Sequence, residues 1–126
     1  PEEAEDMVYR AHASCYHWMQ IGEPINHARG EYLISRAYAA AGDGEMALRH
    51  ANRCLEITEA NAGAAEDWDI AFALEAVARG HALTDNRADA EEFIRRAEEA
   101  GRQVADPEDR EIVEEALNAQ PWNGMR

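Results

Sequence analysis

Five histidines and two cysteines are the side chains in this 126-residue sequence with the clearest capacity for chemistry. His27 lies four residues before Glu31, and His50 lies four residues before Cys54. On a helix this spacing puts both side chains on one face, so each pair would supply two of the ligands of a metal site. Neither pair has the HExxH form that adds a catalytic base, and no third ligand is identifiable. We therefore expect no metal and no cofactor.

The remaining histidines and cysteines form no recognisable catalytic pattern. His12 and His17 are five residues apart and diverge on a helix. Cys15 and Cys54 make no CxxC pair, so each is expected to be a small buried hydrophobe in a reducing compartment. The sequence also lacks a GxSxG segment and a glycine-rich phosphate loop. These observations predict that the chain is not an enzyme.

Charge and composition exclude further classes of function. The chain has 12 basic and 26 acidic residues, a net charge of −14. Because nucleic acids are bound through a positive field, we expect no nucleic-acid partner. Every basic residue is arginine, which excludes a lysine Schiff base, a lysine general base and the P-loop lysine. Acidic runs such as Glu98-Glu99 and Glu114-Glu115 are expected to be solvated helix faces.

Targeting signals are also missing from the sequence. No run approaches the 18 or more apolar residues that span a bilayer, and the first six residues lack the basic and apolar regions of a signal peptide. We therefore expect a cytoplasmic protein that does not bind membranes.

Apolar residues recur with a helical period along the chain, and no segment alternates for long enough to form a sheet. Gly22 ends the first predicted helix, Pro24 begins the second and Gly42 ends it. The predicted N-caps of the third, fifth and sixth helices are Asp43, Asp85 and Asp106. The connections are only two to about seven residues long, so sequential helices should pack antiparallel. The predicted fold is an all-α stack of helical hairpins with about six helices.

An internal repeat relates the second and third predicted helices to the fourth and fifth. Five positions of the first copy are Ile34, Ser35, Tyr38, Gly42 and Ala47. The matching positions of the second copy, each 43 residues later, are Val77, Ala78, His81, Asp85 and Ala90. A fixed offset of this size is typical of a solenoid, in which each hairpin buries its apolar face against the next.

These positions resemble the tetratricopeptide pattern W-x2-L-G-x2-Y…A-x3-F. The chain departs from that pattern in four respects. Glu31 and Leu74 replace the Trp, Ala51 and Ile94 replace the bulky aromatic residue, and the period is 43 residues where the common repeat has about 34. The closing proline is also absent. The chain thus resembles a divergent, long-helix tetratricopeptide-like protein, similar to many uncharacterised bacterial proteins.

The resemblance implies a single domain over residues 1–126, built as a right-handed stack. Residues 24–60 and 65–104 would be two repeat units, residues 4–21 the second half of a partial unit, and residues 107–119 a C-terminal capping helix. His81 would occupy the tyrosine position of the second unit, where a packing role is expected.

The resemblance also implies a function, because the first helix of each tetratricopeptide pair lines a groove that binds extended peptides. Carried over by position, the groove residues would be Arg29, Tyr32, Arg36, Phe72, Glu75 and Arg79. Three inward-facing arginines beside two aromatic rings favour an acidic or C-terminal peptide. The alternative is that these arginines pair with Glu31, Glu75 and Asp69 along their own helices.

Two further hypotheses remain open at this point. If the sequence begins inside a repeat, its first helix would present an apolar stripe of Val8, Ala11, Cys15, Trp18 and Met19, which predicts a homodimer through that helix. Trp18 and Trp68 are expected to pack between hairpins, whereas Tyr16 and His17 would face outwards. The alternative to a protein-interaction module is a small-molecule or metal-binding helical domain around His27 and Glu31.

Overall fold

Six α-helices make up the computed structural model, which describes the backbone of residues 2–126 and the side chains of residues 3–13 and 22–126. They are α1 (Glu2–Ile21), α2 (Pro24–Ala40), α3 (Gly44–Ala60), α4 (Asp67–Leu83), α5 (Arg87–Arg102) and α6 (Pro107–Asn118). No strand occurs between residues 2 and 126, so the all-α prediction is confirmed. No helix in the described part of the chain is long and apolar enough to cross a bilayer.

The helices pack as a stack of hairpins. Each helix contacts the next one along the chain, and α2 also contacts α4, as α4 contacts α6. The helices α2, α4 and α6 therefore lie side by side, and the intervening α3 and α5 lie behind them. This arrangement confirms the predicted hairpin stack and creates one face that several helices share.

The 43-residue repeat is preserved in three dimensions. Helix α4 begins and ends 43 residues after α2. Tyr38 stacks on His50 with ring centroids 5.6 Å apart, and His81 stacks on Phe93 at 5.5 Å. Both members of the second pair follow those of the first by 43 residues. The resemblance places the aromatic residue of each hairpin at the positions of Ala51 and Ile94. In the structure the stacked rings are those of His50 and Phe93, one residue earlier in each case.

The turns between paired helices repeat as well, and they correct one predicted cap. Gly42 and Asp85 both have positive φ, 85° and 60°, and so occupy the same left-handed position after α2 and α4. Asp43 follows the first turn and accepts a hydrogen bond from the Met46 amide at 3.0 Å, as predicted for an N-cap. The N-cap of α5 is Asn86, not Asp85, because Asp85 already occupies the turn position that matches Gly42.

The core is built from small side chains at helix crossings. Ala47, Ala51, Ala78 and Ala90 are at most 1% exposed. The Ser35 hydroxyl donates to the Ala47 carbonyl at 2.7 Å, which satisfies a polar group where α2 meets α3. Small residues at these crossings allow the backbones to approach closely and bury the hydrophobic face of each hairpin.

Part of the α1 stripe is already covered. Ala11 is buried against Ile34 and Ala37 of α2, and Val8 and Tyr38 pack around them. The side chains of Cys15, Tyr16, His17, Trp18 and Met19 lie outside the described residues. A homodimer through α1 therefore stays a prediction.

At Gly80, α3 and α4 leave no room for a side chain. A Cβ atom placed on Gly80 would lie 2.7 Å from the Leu48 Cα and 2.8 Å from the Leu48 Cβ. We expect Gly80→Ala to lower the free energy of unfolding by about 1–3 kcal/mol, because the two helices must separate. Gly63→Ala is the matched control, since nothing lies within 4 Å of its added Cβ. Urea unfolding followed by circular dichroism measures both, and equal midpoints would contradict the close crossing.

Candidate functional site

Three adjoining depressions form a groove across α1, α2, α4 and α6, here called the apolar groove. The central pocket has a volume of about 260 Å³ and is lined by Ala28, Arg29, Tyr32, Leu33, Cys54, Thr58, Trp68, Asp69 and Phe72. The depression on the α1 side is lined by Met7, Arg10, Ala11, Leu33, Arg36, Ala37 and Ala40. The depression on the α6 side is lined by Trp68, Phe72, Asp109 and Ile112. Leu33 joins the first two, and Trp68 and Phe72 join the central pocket to the third.

Aromatic rings from α2 and α4 form one wall of the central pocket. The Phe72 ring meets Tyr32 edge to face at a centroid distance of 5.4 Å, and Trp68 at 6.2 Å. The Arg29 guanidinium lies 4.7 Å from the centroid of the Trp68 ring, within the range of a cation–π contact. These contacts hold the rings in fixed orientations and leave an apolar surface facing the pocket.

Arg29 is bound to a carboxylate of the same chain. Its Nε and Nη2 donate to the two oxygens of Asp69 at 3.0 and 2.9 Å, and its Nη1 donates to Asn26 at 3.2 Å. Asp69 also accepts a hydrogen bond from the Glu66 amide at 2.8 Å, which fixes the start of α4. The hydrogen bonds to Asp69 raise the pKa of Arg29. The bidentate position that a peptide carboxylate would need is therefore filled.

A second carboxylate, Glu75, is fully buried beneath the groove. It accepts hydrogen bonds from the Tyr32 hydroxyl at 2.6 Å, from Arg36 Nη1 at 3.1 Å and from Arg79 Nε at 3.2 Å. A buried carboxylate needs such partners, because its desolvation is otherwise costly. Burial and the charge of Glu75 together raise the pKa of Tyr32, so its phenol stays protonated and donates.

Arg79 faces the C-terminal segment and not the groove. Its side chain is 1% exposed and donates to the carbonyls of Ala116, Ala119 and Pro121 at 2.8, 2.8 and 2.7 Å. The guanidinium also lies 4.2 Å from the centroid of the buried Trp122 ring. The prediction that Arg79 lines a peptide groove is therefore wrong. Arg79 binds carbonyls at the end of α6 and in the turn that follows.

The six predicted groove residues thus divide into two groups. Arg29, Tyr32 and Phe72 line the central pocket, and Arg36 lines the depression beside it. Glu75 and Arg79 lie beneath the surface. The alternative prediction is that the arginines form ion pairs within the chain. Two of the acidic partners that it names, Glu75 and Asp69, do bind these arginines. The prediction that each pair lies along one helix is wrong for two of the three pairs, because Arg29 and Arg36 extend from α2 to acidic residues of α4. Of the three pairs, only Arg79–Glu75 lies on a single helix.

The predicted groove residues omit several that line the apolar groove, among them Met7, Arg10, Leu33, Trp68, Asp109 and Ile112. Trp68 precedes Phe72 by four residues, and this spacing places both rings on one face of α4. The helical period of apolar residues would place Leu33 and Ile112 in the core, but their side chains are 47% and 52% exposed. Their exposure depends on the position of the neighbouring helices, which periodicity alone does not give.

Two histidines meet at Glu31: the predicted His27–Glu31 pair lies together on α2, and His50 contacts the same carboxylate from α3. Glu31 is 7% exposed and lies 3.2 Å from His27 Nε2 and 2.5 Å from His50 Nδ1. Burial opposes ionisation of Glu31, but its hydrogen bonds with His50 and His27 outweigh this effect and lower its pKa. His12 Nε2 lies 3.1 Å from the Tyr38 hydroxyl. The described residues include no group of three histidine, cysteine, aspartate or glutamate side chains able to hold a metal ion.

Cys54 belongs to the central pocket and not to the histidine cluster. It is a free, buried thiol whose pKa burial raises to about 12. A thiol with so high a pKa is a poor nucleophile, which agrees with the expected packing role.

Comparison with known proteins adds no name to this description. No protein-family model, no curated protein and no solved structure matches the chain. The resemblance to tetratricopeptide repeats therefore depends on the residues given above and stays a prediction.

Removal of Arg79 should cost far more stability than removal of an exposed arginine. Arg79→Met leaves a buried carboxylate with one partner fewer and leaves three carbonyls without their donor. We expect the free energy of unfolding to fall by about 3–5 kcal/mol. The control is Arg95→Met, because Arg95 pairs with Glu92 on the exposed face of α5 and its loss should leave the unfolding midpoint nearly unchanged. Similar midpoints for the two variants in urea would contradict a structural role for Arg79.

The hydrogen bonds of Glu31 with His27 and His50 should make the stability of the fold depend on pH. Because the pKa of Glu31 is lowered on folding, its charge stabilises the fold above the pKa of an unfolded glutamate, ~4.3. That contribution is lost as the pH falls through the lower folded pKa. We expect wild type to be more stable than Glu31→Gln at pH 6, with the difference shrinking below about pH 4. Glu56→Gln, at an exposed position of α3, is the control. A difference that does not change between pH 6 and pH 3 would refute this assignment.

Proposed function

We propose that this chain is a protein-interaction module and that the apolar groove binds a segment of a partner protein. The observation that carries the proposal is the position of the exposed apolar side chains. The described residues include four large hydrophobic side chains that are exposed, Met7, Tyr9, Leu33 and Ile112. Three of them, all except Tyr9, line the groove.

The surroundings of the groove strengthen this argument. An acidic protein of net charge −14 gains solubility from its charged surface. Exposed apolar side chains such as Met7, Leu33 and Ile112 lower that solubility, so their presence along one groove indicates a binding surface. Interfaces are typically centred on such apolar and aromatic groups, with polar residues around them. Trp68 and Tyr32 supply the aromatic surface, and Arg36 and Asp109 supply charge nearby.

A partner protein suits the dimensions better than a small molecule does. The central pocket, at about 260 Å³, lies between depressions of about 500 and 220 Å³ and is not a separate cavity. It opens into neighbouring depressions on both sides, as expected for a groove that receives several side chains of one segment. The pocket can hold one bulky side chain as an anchor.

We place this activity in the cytoplasm. The free, buried thiol of Cys54 is compatible with a reducing compartment, where unpaired cysteines persist. This placement is part of the proposal, as is the absence of catalytic activity.

Selection from a random peptide-display library on the wild-type protein tests the proposal. We expect selected peptides to lose at least tenfold in affinity for Leu33→Asp and Ile112→Asp, because each change puts a charge against the bound apolar surface. Tyr9→Asp is the matched control, since Tyr9 is 67% exposed but lies outside the groove, and its affinity should not change. Circular dichroism and unfolding midpoints establish that all three variants fold. Failure to select any peptide, or equal losses in all three, would reject the proposal.

A further inference from the structure

We infer that the partner segment has charge polarity, with an acidic end over α1 and α2, a bulky apolar centre, and a basic end over α6. This inference rests on the proposed function and adds the chemistry of the segment. It differs from a uniformly acidic peptide because the arginines of the groove are not all equivalent.

The two ends of the groove carry opposite charges. The depression on the α1 side is lined by Arg10 and Arg36, whose ion-pair partners Asp6 and Glu75 do not line it. The depression on the α6 side is lined by Asp109 and by no basic residue. A segment that matches both ends must therefore bring a carboxylate to the first and a cation to the second.

The arginines at the α1 end retain donors for a partner. Arg10 is 82% exposed and contacts Asp6 through Nη2. Arg36 is 27% exposed and uses Nη1 for both Tyr32 and Glu75, which leaves Nε and Nη2 without an acceptor among the described residues. Burial opposes the charge of Arg36, but Tyr32 and Glu75 outweigh it and raise its pKa, so it remains a cation.

The centre of the groove attracts neither charge. Arg29 and Asp69 neutralise each other there, and Cys54, Leu33 and the rings of Trp68 and Phe72 are apolar. A charged residue of the partner buried at this point would lose its hydrating water, and no unpaired opposite charge of the pocket would compensate for that loss. The central pocket therefore selects a large apolar or aromatic side chain.

The spacing of the helices sets the length of the segment. Packed helices lie about 8–10 Å apart, so three steps, from α1 to α2, α4 and α6, cover about 25–30 Å. An extended chain advances about 3.3 Å per residue, so eight or nine residues span this distance. Because the Debye length is about 8–10 Å at physiological salt, the two ends sense their charges independently.

Charge reversal at each end of the groove tests this polarity. A display library of 11-residue peptides with a central Trp is selected separately on wild type, Arg10→Glu, Asp109→Lys and the control Arg95→Glu on exposed α5. Wild type and control should enrich Asp or Glu on one flank of the Trp and Lys or Arg on the other. The Arg10→Glu protein should lose the enrichment of acidic residues on the flank over α1, because Arg36 is then the remaining cation beside a new carboxylate, and Asp109→Lys should select acidic residues on both flanks. A wild-type peptide should bind each groove variant about fivefold more weakly, the scale of one exposed ion pair.

Three outcomes would overturn the inference, and they separate it from the proposed function. Selection of apolar peptides with no charge asymmetry, or with the same flanks on all four proteins, rejects the polarity and leaves the groove as an interaction site. Failure to enrich any peptide rejects both. A dimer in light scattering that Leu33→Asp abolishes, together with failed selection, would assign the groove to a second copy of this chain.

Discussion

The buried carboxylate of Glu75 is the constraint around which the groove is organised. Because it lies in the interior, the chain must supply donors from several directions, and it takes them from Tyr32 and Arg36 on α2 and from Arg79 on its own helix. These bonds fix α2 against α4 beneath the groove. Three of the six side chains predicted to bind a partner are thereby used to join neighbouring helices, and the surface above them is left largely apolar.

The fold could be predicted from sequence because its signals are local. Gly42, Asp43 and Pro107 mark helix ends by their own backbone preferences, and the apolar period marks the faces between them. The repeat also indicates where a helix begins. The alignment of Gly42 with Asp85 implies that Asn86, as the partner of Asp43, is the N-cap of α5, and the structure has it there.

The candidate site could be predicted only in part, because its polar contacts are long-range. Arg29 and Asp69 are 40 residues apart, and Arg79 binds carbonyls 37 to 42 residues later in the chain. Helical spacing identifies i, i+4 pairs, and it correctly identified Arg79 with Glu75. It cannot show that Tyr32 meets Glu75, although these residues occupy the same position of successive repeats. The convergence of His27 and His50 on Glu31 likewise requires α2 and α3 to be packed together.

The exposed surface of α6 carries a cluster of carboxylates. Its exposed residues include Glu111, Glu114 and Glu115, whereas Val113 and Leu117 face the core. A further hairpin added over that surface would have to remove water from three like charges without offering them partners. Hydration of these carboxylates therefore opposes the packing of an apolar helix against this side of α6, in contrast to the side that carries Val113 and Leu117.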